Sequence, residues 1–399
     1  MGANKARDSS GIPLPVIRGP DHPWRTPWAE DRIVTVVAPP GLSRRSALLG
    51  LSAAALPAFA APALAFPIRA PTDIQRAEWA AFRERFLAPE GRIVDTGNQN
   101  ISHSEGQGWA LMSAVRADDR ESFDRILAWT VTTLRRPQDE LFSWRFRPNA
   151  ATPVDDPNNA TDGDLFIAWA LLEAGQRWGN RDYTAQGTAM ARDILRLLVR
   201  RAGSYWVLLP GARGFERADH TIVNPSYYAF PAIRALAQAV PDPAWLRVAA
   251  DGVALLRNGR FGRWGLPPDW LAVRRVDGLL SLPGEWAPRF SYDALRVPLY
   301  MAWVGLAQEP SLTGSADFWN DPRHRHLPAW VDLTTNIISP YAASPGIGGV
   351  AALATARRGA APRHARLALP GTSIPPMPDY YSGALSLLST LAARDSDLI

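Results

Sequence analysis

The sequence predicts one mainly α-helical domain over residues 66–399, and three observations carry that expectation. Runs with a 3.6-residue apolar period recur along this stretch, strand-like runs are few and short, and no linker interrupts it. Of the 399 residues, 47% are hydrophobic, 20% are charged and none is Cys. That apolar content supports a large core and excludes a disordered chain. The lack of cysteine excludes a disulfide framework, Cys-ligated zinc, an iron–sulfur cluster and a thiol nucleophile.

Residues 1–65 are expected to stand apart from this domain. Ser43-Arg44-Arg45-Ser46-Ala47-Leu48-Leu49 leads into an uncharged Ala/Leu stretch ending at Ala63-Leu64-Ala65. This is the pattern of a twin-arginine export signal, removed near Ala65. Its apolar part is too short and alanine-rich for a membrane span. Residues 1–42 are Pro-rich and aperiodic. The expected location is therefore periplasmic or secreted, with no membrane span after removal of the signal. The leader holds seven Lys/Arg and four Asp/Glu, so the overall +5 falls to +2 on residues 66–399, with 36 basic and 34 acidic groups. A charge so near balance removes the electrostatic case for nucleic acid.

Each helix has its own signal. Residues 105–115 are helical in composition, and 117–120 form a turn. Residues 121–134 resume with Phe123, Ile126, Leu127 and Thr130 near a helical period. Residues 164–178 put Leu165, Ala168, Leu171, Leu172 and Gly175 on one face, with acidic residues at the start where the helix dipole favours them. Further helices are expected at 228–240, 245–257, 293–307 and 381–393. Loops rich in Gly, Pro, Asn and aromatics separate them at 142–157, 205–225 and 262–270; the best strand is 205–209. Residues 339–376 carry the weakest pattern. Long aromatic loops between helices suggest chemistry on one loop-bearing face.

Three acidic motifs are candidates for that chemistry. In Ser104-Glu105-Gly106-Gln107-Gly108-Trp109 a carboxylate opens a helix, and two glycines would let a bulky ligand approach the backbone. Asn159-Ala160-Thr161-Asp162-Gly163-Asp164-Leu165 is also an ordinary capping pattern. In Ser291-Tyr292-Asp293-Ala294-Leu295-Arg296, Asp293 and Arg296 have the spacing of a helical ion pair. HExxH, Gly-x-Ser-x-Gly and phosphate-loop motifs are absent, and His103, beside Glu105, is expected as a neighbour in a hydrogen-bond network rather than a ligand. No metal or cofactor is expected. Residues 66–399 keep 14 of the 16 tryptophans, about half of them expected in the core and the rest as exposed flat faces. Paired carboxylates, aromatic faces that stack on sugar rings and an export signal together fit glycoside hydrolysis. That reaction needs one acid to protonate the leaving oxygen and one carboxylate to act on water or carbon.

The run from Ala160 to Ala174, closing at Trp178, is similar along its whole length to the signature of glycoside hydrolase family 8. Glu90-Gly91-Arg92-Ile93-Val94-Asp95, Ser104-Glu105-Gly106-Gln107, Leu208-Leu209-Pro210-Gly211, Asn224-Pro225-Ser226-Tyr227-Tyr228 and Ser291-Tyr292-Asp293-Ala294 follow the family's order over about residues 79–305. Ser344-Pro345-Gly346 and Asp379-Tyr380-Tyr381 extend the likeness. The resemblance implies an all-α, (α/α)6 barrel of helical hairpins whose long loops form an open cleft. It also implies an inverting endo-β-1,4-glucanase acting on cellulose-like β-glucan, with a functional link to a bacterial cellulose synthase.

By motif, the resemblance makes Glu105 the proton donor and Asp293 the general base. Asp162 falls on the signature Asp, expected to grip and distort the sugar. Tyr292 and Arg296 would orient the base and its water. Trp109 replaces the Tyr often found there and keeps a stacking face. Gln107, Asn224, Tyr227 and Tyr228 are expected sugar contacts, as are Tyr380 and Tyr381; Trp144, Trp264 and Trp270 are expected subsite faces from their loop positions. The family also contains xylanases, chitosanases and lichenases. A silent glucan-binding partner of a cellulose synthase is the reading from another class, against which stands the presence of both Glu105 and Asp293.

Overall fold

Helical periodicity becomes eleven helices among the described residues of the computed structural model, which are 68–359 and 369–399. The export segment expected at 1–65 lies outside them. In chain order the helices are α1 (Asp73–Phe86), α2 (Ser104–Ala117), α3 (Arg120–Leu134), α4 (Thr161–Trp178), α5 (Arg181–Leu198), α6 (Phe230–Ala239), α7 (Pro243–Asn258), α8 (Arg296–Trp303), α9 (Pro310–Trp319), α10 (Pro345–Arg357) and α11 (Tyr380–Asp395).

Six of these form an inner ring. α2 packs on α4, α4 on α6, α6 on α8, α8 on α10, α10 on α11, and α11 closes the circle on α2. The others pack outside: α1 on α11 and α2, α3 on α2, α5 on α4, α7 on α6, and α9 on α8 and α10. This is the (α/α)6 barrel expected from the motifs. Burial separates the two layers. α2, α4, α8 and α11 are apolar nearly all round and almost wholly buried, whereas α5 buries one stripe, Gly187, Met190, Ala191, Ile194 and Leu198.

Because inner and outer helices largely alternate along the chain, the inner helices run the same way and their N-termini gather at one end. Capping differs between the layers. Side chains of Thr72, Asp119, Asn180 and Asp242 cap outer helices α1, α3, α5 and α7. On the inner ring only α11 has a side-chain cap, from Asp379, while α2, α4, α6, α8 and α10 have none. The inner N-termini thus keep first-turn N–H groups and a positive dipole end directed at the same rim, where carboxylates are favoured.

Short strands line that rim. β1 (Ser102–His103) pairs antiparallel with β2 (Arg145–Phe146), Ser102 opposite Phe146. β3 (Val199–Ala202) pairs with β4 (Tyr205–Leu208), the strand expected at 205–209. β5 (His220–Val223), β6 (Leu271–Arg274) and β7 (Leu280–Ser281) form a three-stranded sheet, and β8 (Arg289–Phe290) pairs with β9 (Val331–Asp332). Two boundaries differ usefully from expectation. α4 begins at Thr161 rather than 164, so Asp162 lies in its first turn. α8 begins at Arg296 rather than 293, so Asp293 precedes the helix on a turn. Among the described residues no helix is long and apolar enough to cross a membrane.

Candidate active site

Two glycine-bearing helix starts cross at the N-terminal rim. A Cβ on Gly163 would stand 2.7 Å from the backbone N of Glu105, and one on Gly106 would stand 2.5 Å from the hydroxyl of Tyr380. Only glycine lets α2, α4 and α11 approach so closely. Gly106 and Gly108, expected to admit a ligand, therefore admit neighbouring helices instead, a Cβ on Gly108 standing 3.0 Å from the Gly163 carbonyl. Their effect is to bring Glu105 and Asp162 together.

Arg296, the first residue of α8, sits between the three predicted acids. One terminal nitrogen donates to Glu105 Oε2 and also to Asp162 Oδ2 at 2.8 Å; the other donates to Asp293 Oδ1 at 2.7 Å. The guanidinium side chain is 1% exposed, as is that of Asp162, while those of Glu105 and Asp293 keep 19% and 22%. Glu105 and Asp293 thus both keep exposed surface, while the guanidinium between them is sealed.

Charge at this rim is unbalanced. Burial is the main force pushing the Glu105 carboxyl well above its ordinary range; Arg296 opposes it, and Asp162 and Asp293 add to it. Burial also works against the Arg296 charge, but the three carboxylates outweigh it and raise its proton affinity. One cation facing three carboxyl groups leaves one of them inclined to keep a proton, and the partly open Glu105 is the one so placed.

Aromatic rings surround the guanidinium. The Arg296 Cζ lies 5.4 Å from the Trp109 ring centre and 5.7 Å from that of Tyr227. Tyr381 donates its hydroxyl to the Tyr292 carbonyl, and the two rings meet edge-on at 5.6 Å. The Tyr292 hydroxyl lies 3.3 Å from that of exposed Tyr341, which also accepts from Trp330 Nε1 at 2.9 Å. Tyr380 is buried with its hydroxyl against Gly106. Trp144, half-buried, offers its carbonyl to Ser104 N at 3.0 Å and stacks under Arg145.

Several expected sugar contacts prove to be internal. Asp162 has no exposed surface; its Oδ1 accepts from Gly163 N at 2.8 Å and its Oδ2 from Arg296, which leaves it no face for the sugar contact expected of it. Trp109 is buried beneath Arg296 and presents no face to the opening. Gln107 is buried and ties Ile93 N (2.6 Å) to Thr130 Oγ1 (2.9 Å). Asn224 accepts from Ser226 N at 3.0 Å, capping the short turn that carries Tyr227. The Tyr228 hydroxyl accepts from Leu208 N at 3.1 Å, inside the core. Trp264 bonds Asp321 at 2.9 Å and packs on Phe318 and His324, against α9. Trp270 is buried in a stack between Phe215 (5.9 Å) and Trp286 (4.9 Å), behind Tyr227. In each case a residue-type signal for sugar binding was a packing or hydrogen-bonding need. His103 pairs with Asp95 at 3.2 Å, the neighbourly role expected of it.

Tyr341, Trp330 and Trp286 were missed by the sequence reading; aromatic loop position was the signal available for them. Asp269 was missed as well. It follows Pro267-Pro268 and is buried, and burial with the charge of nearby Asp293 pushes its carboxyl up to about 7.

Comparisons with known proteins identify the family. Residues 53–395 match the family model described as glycosyl hydrolases family 8. A probable endoglucanase of Novacetimonas hansenii is 46% identical over 84% of this chain and 95% of its own. An endoglucanase of Cellulomonas uda is 42% identical over 67% of this chain and 74% of its own. The solved structure of the endo-β-1,4-glucanase CMCax from Acetobacter xylinum superposes with a TM-score of 0.75 at 45% identity, covering 82% of this chain and 99% of that one. With an (α/α)6 barrel, three carboxyl groups on one buried arginine and a family match over most of its length, this chain belongs to glycosyl hydrolases family 8.

Proposed function

We propose that the chain is an endo-β-1,4-glucanase that cleaves cellulose-like β-glucan with inversion at the anomeric carbon. The observation that carries the reading is that Glu105 and Asp293, both partly exposed, are bonded to the same buried Arg296. Protonated Glu105 donates its proton to the glycosidic oxygen as the C1–O bond breaks. A water attacks C1 from the opposite face and passes a proton to Asp293. The sugar traverses an oxocarbenium-like state between the two. The turnover leaves Glu105 ionised and Asp293 protonated, and exchange with solvent resets both.

Burial and the nearby carboxylates supply the raised proton affinity that an acid needs near neutral pH. Arg296 offsets the negative charge, holds Asp293 in place and bonds Asp162. Tyr292 and the exposed Tyr341 set their hydroxyls side by side, with the Tyr381 ring packed against Tyr292. Proton NMR of cellopentaose hydrolysis tests the reading. The α-anomer is expected first, together with internal cleavage; a β-anomer appearing first overturns the inverting assignment. Reducing-sugar assays on carboxymethylcellulose, xylan, chitosan and lichenan test the polymer, with highest activity expected on the cellulose derivative.

Export and a working link to a cellulose synthase complete the proposal. The first is supported by the paired Arg44-Arg45 and the apolar run to Ala65. N-terminal sequencing of periplasmic protein checks it, with a mature end near residue 66 expected. The second predicts altered cellulose yield or crystallinity when the gene is deleted from a cellulose-making host.

A further inference from the structure

We infer that Asp269 is a positioning residue that sets the place of the Asp293 carboxylate. Asp269 Oδ1 accepts from Ser291 N at 2.9 Å and from Ala294 N at 2.8 Å, and its Oδ2 accepts from the Ser291 hydroxyl. These donors lie on either side of Asp293 in the chain. One buried carboxylate thus clamps both ends of the turn that carries the proposed base.

The clamp is anchored from behind. The Asp269 backbone N donates to Arg289 O at 2.7 Å, and the next residue, Trp270, is held in the Phe215–Trp270–Trp286 stack and leads into β6. On the other side the turn runs straight into α8, with Leu295 N on Ser291 O at 3.0 Å and Arg296 N on Asp293 O at 3.1 Å. A turn held only by these last two bonds keeps its helix register but loses the constraint on the Ser291–Ala294 backbone. Catalytic efficiency is steep in such placement, about 10²-fold for a 1 Å error. Asp269 itself is 8% exposed and its carboxylate bonds to Ser291 and Ala294 all point to this turn, so it acts through Asp293 and not on the sugar.

The inference rests on the reading of Asp293 as base, and the test separates the two. Steady-state kinetics on cellopentaose and thermal melts would be run on Asp269→Ala, Asp269→Asn, Ser291→Ala and Asp293→Asn. Asp269→Ala should lower kcat by about 30- to 100-fold with KM within about 2-fold. Asp269→Asn should recover to within about 5-fold of the parent, since its Oδ1 still accepts from both backbone N–H groups and its amide donates to the Ser291 hydroxyl. Ser291→Ala, which removes one bond, should fall between and keeps the idea testable if Asp269→Ala does not fold. Asp293→Asn should lose at least about 10³-fold. Parent-level kcat in Asp269→Ala beside an inactive Asp293→Asn overturns the positioning role alone. A failure of Asp269→Asn to rescue, or a loss explained wholly by the unfolded fraction, overturns it as well. An active Asp293→Asn overturns the base reading itself.

Discussion

Arg296 at one end of the inner ring and Arg116 at the other are both buried arginines bonded to carboxylates from neighbouring helices. Arg116, near the C-terminus of α2, binds Glu173 of α4 bidentately at 2.5 Å and Asp395 of α11 at 2.9 Å. Its ring partner is Trp169 at 6.0 Å, and Trp303 donates to the same Asp395 at 2.9 Å. Here the side chains are only 5%, 8% and 2% exposed. Arg296 differs in two ways: it faces three carboxyl groups instead of two, and two of these reach the surface. A buried arginine with its carboxylates is therefore not itself a mark of function. The Arg296 cluster combines a larger surplus of carboxyl groups with access, whereas the closed Arg116 cluster stitches helix ends together.

The comparison can be broken most severely at its active end. Glu105→Gln removes the transferable proton and should lower kcat by about 10⁴-fold. Its melting temperature should hold or rise, because a strained buried acid is replaced by a neutral amide. A fall in melting temperature with activity retained would make the two ends alike. At the closed end, Arg116→Met strands Glu173 and Asp395 without their cation and should cost about 3–5 kcal/mol of stability. Chemical denaturation would measure this, and kcat per folded molecule should stay at the parent value.

Replacing the ring partners sharpens the contrast with a smaller effect. Trp109→Phe weakens the aromatic face under Arg296 by about 1 kcal/mol and should lower kcat several-fold. Trp169→Phe, beside Arg116, should lower the melting temperature and leave kcat unchanged.

A different readout is a pH slope in stability. Glu78, buried beside Thr390, and Asp164, buried in the first turn of α4, are both pushed up to about 7, chiefly by burial. Folded-state values above the unfolded ones mean that the folded chain binds more protons through this range. Their stabilising contribution is full below about pH 4 and is lost as pH rises through 7. Melting temperature should therefore be higher at pH 5 than at pH 8, and Glu78→Gln should flatten the slope. A flat profile in the parent would show that these carboxyls are ionised in the fold.

Much of the helical content was legible. Seven helices were expected near their places, with boundaries off by up to a turn at α4 and α8. The strongly one-sided pattern of α5 was equally readable and passed unused. α1, α9 and α10 were harder to see. α9 (PSLTGSADFW) and α10 (PGIGGVAALATAR) are rich in small residues and weak helix formers, and packing on both sides supplies the order that propensity lacks. The acids Glu105, Asp162 and Asp293 stood out because each lies in a distinctive local motif. Trp109, Gln107 and Tyr228 were misjudged because burial of a polar or aromatic side chain depends on neighbours far away in sequence.

The sequence by itself determined the helical architecture and the identity of the acids, since apolar period and motif spacing are local properties of the chain. Only the tertiary structure decided which acid is open and which is sealed, and that Asp269 clamps the turn of Asp293. The reason is distance along the chain: Arg296 reaches Glu105 across 191 residues and Asp162 across 134. Burial, and the proton affinity that follows from it, arises only when the inner helices close into a ring and bring those segments together.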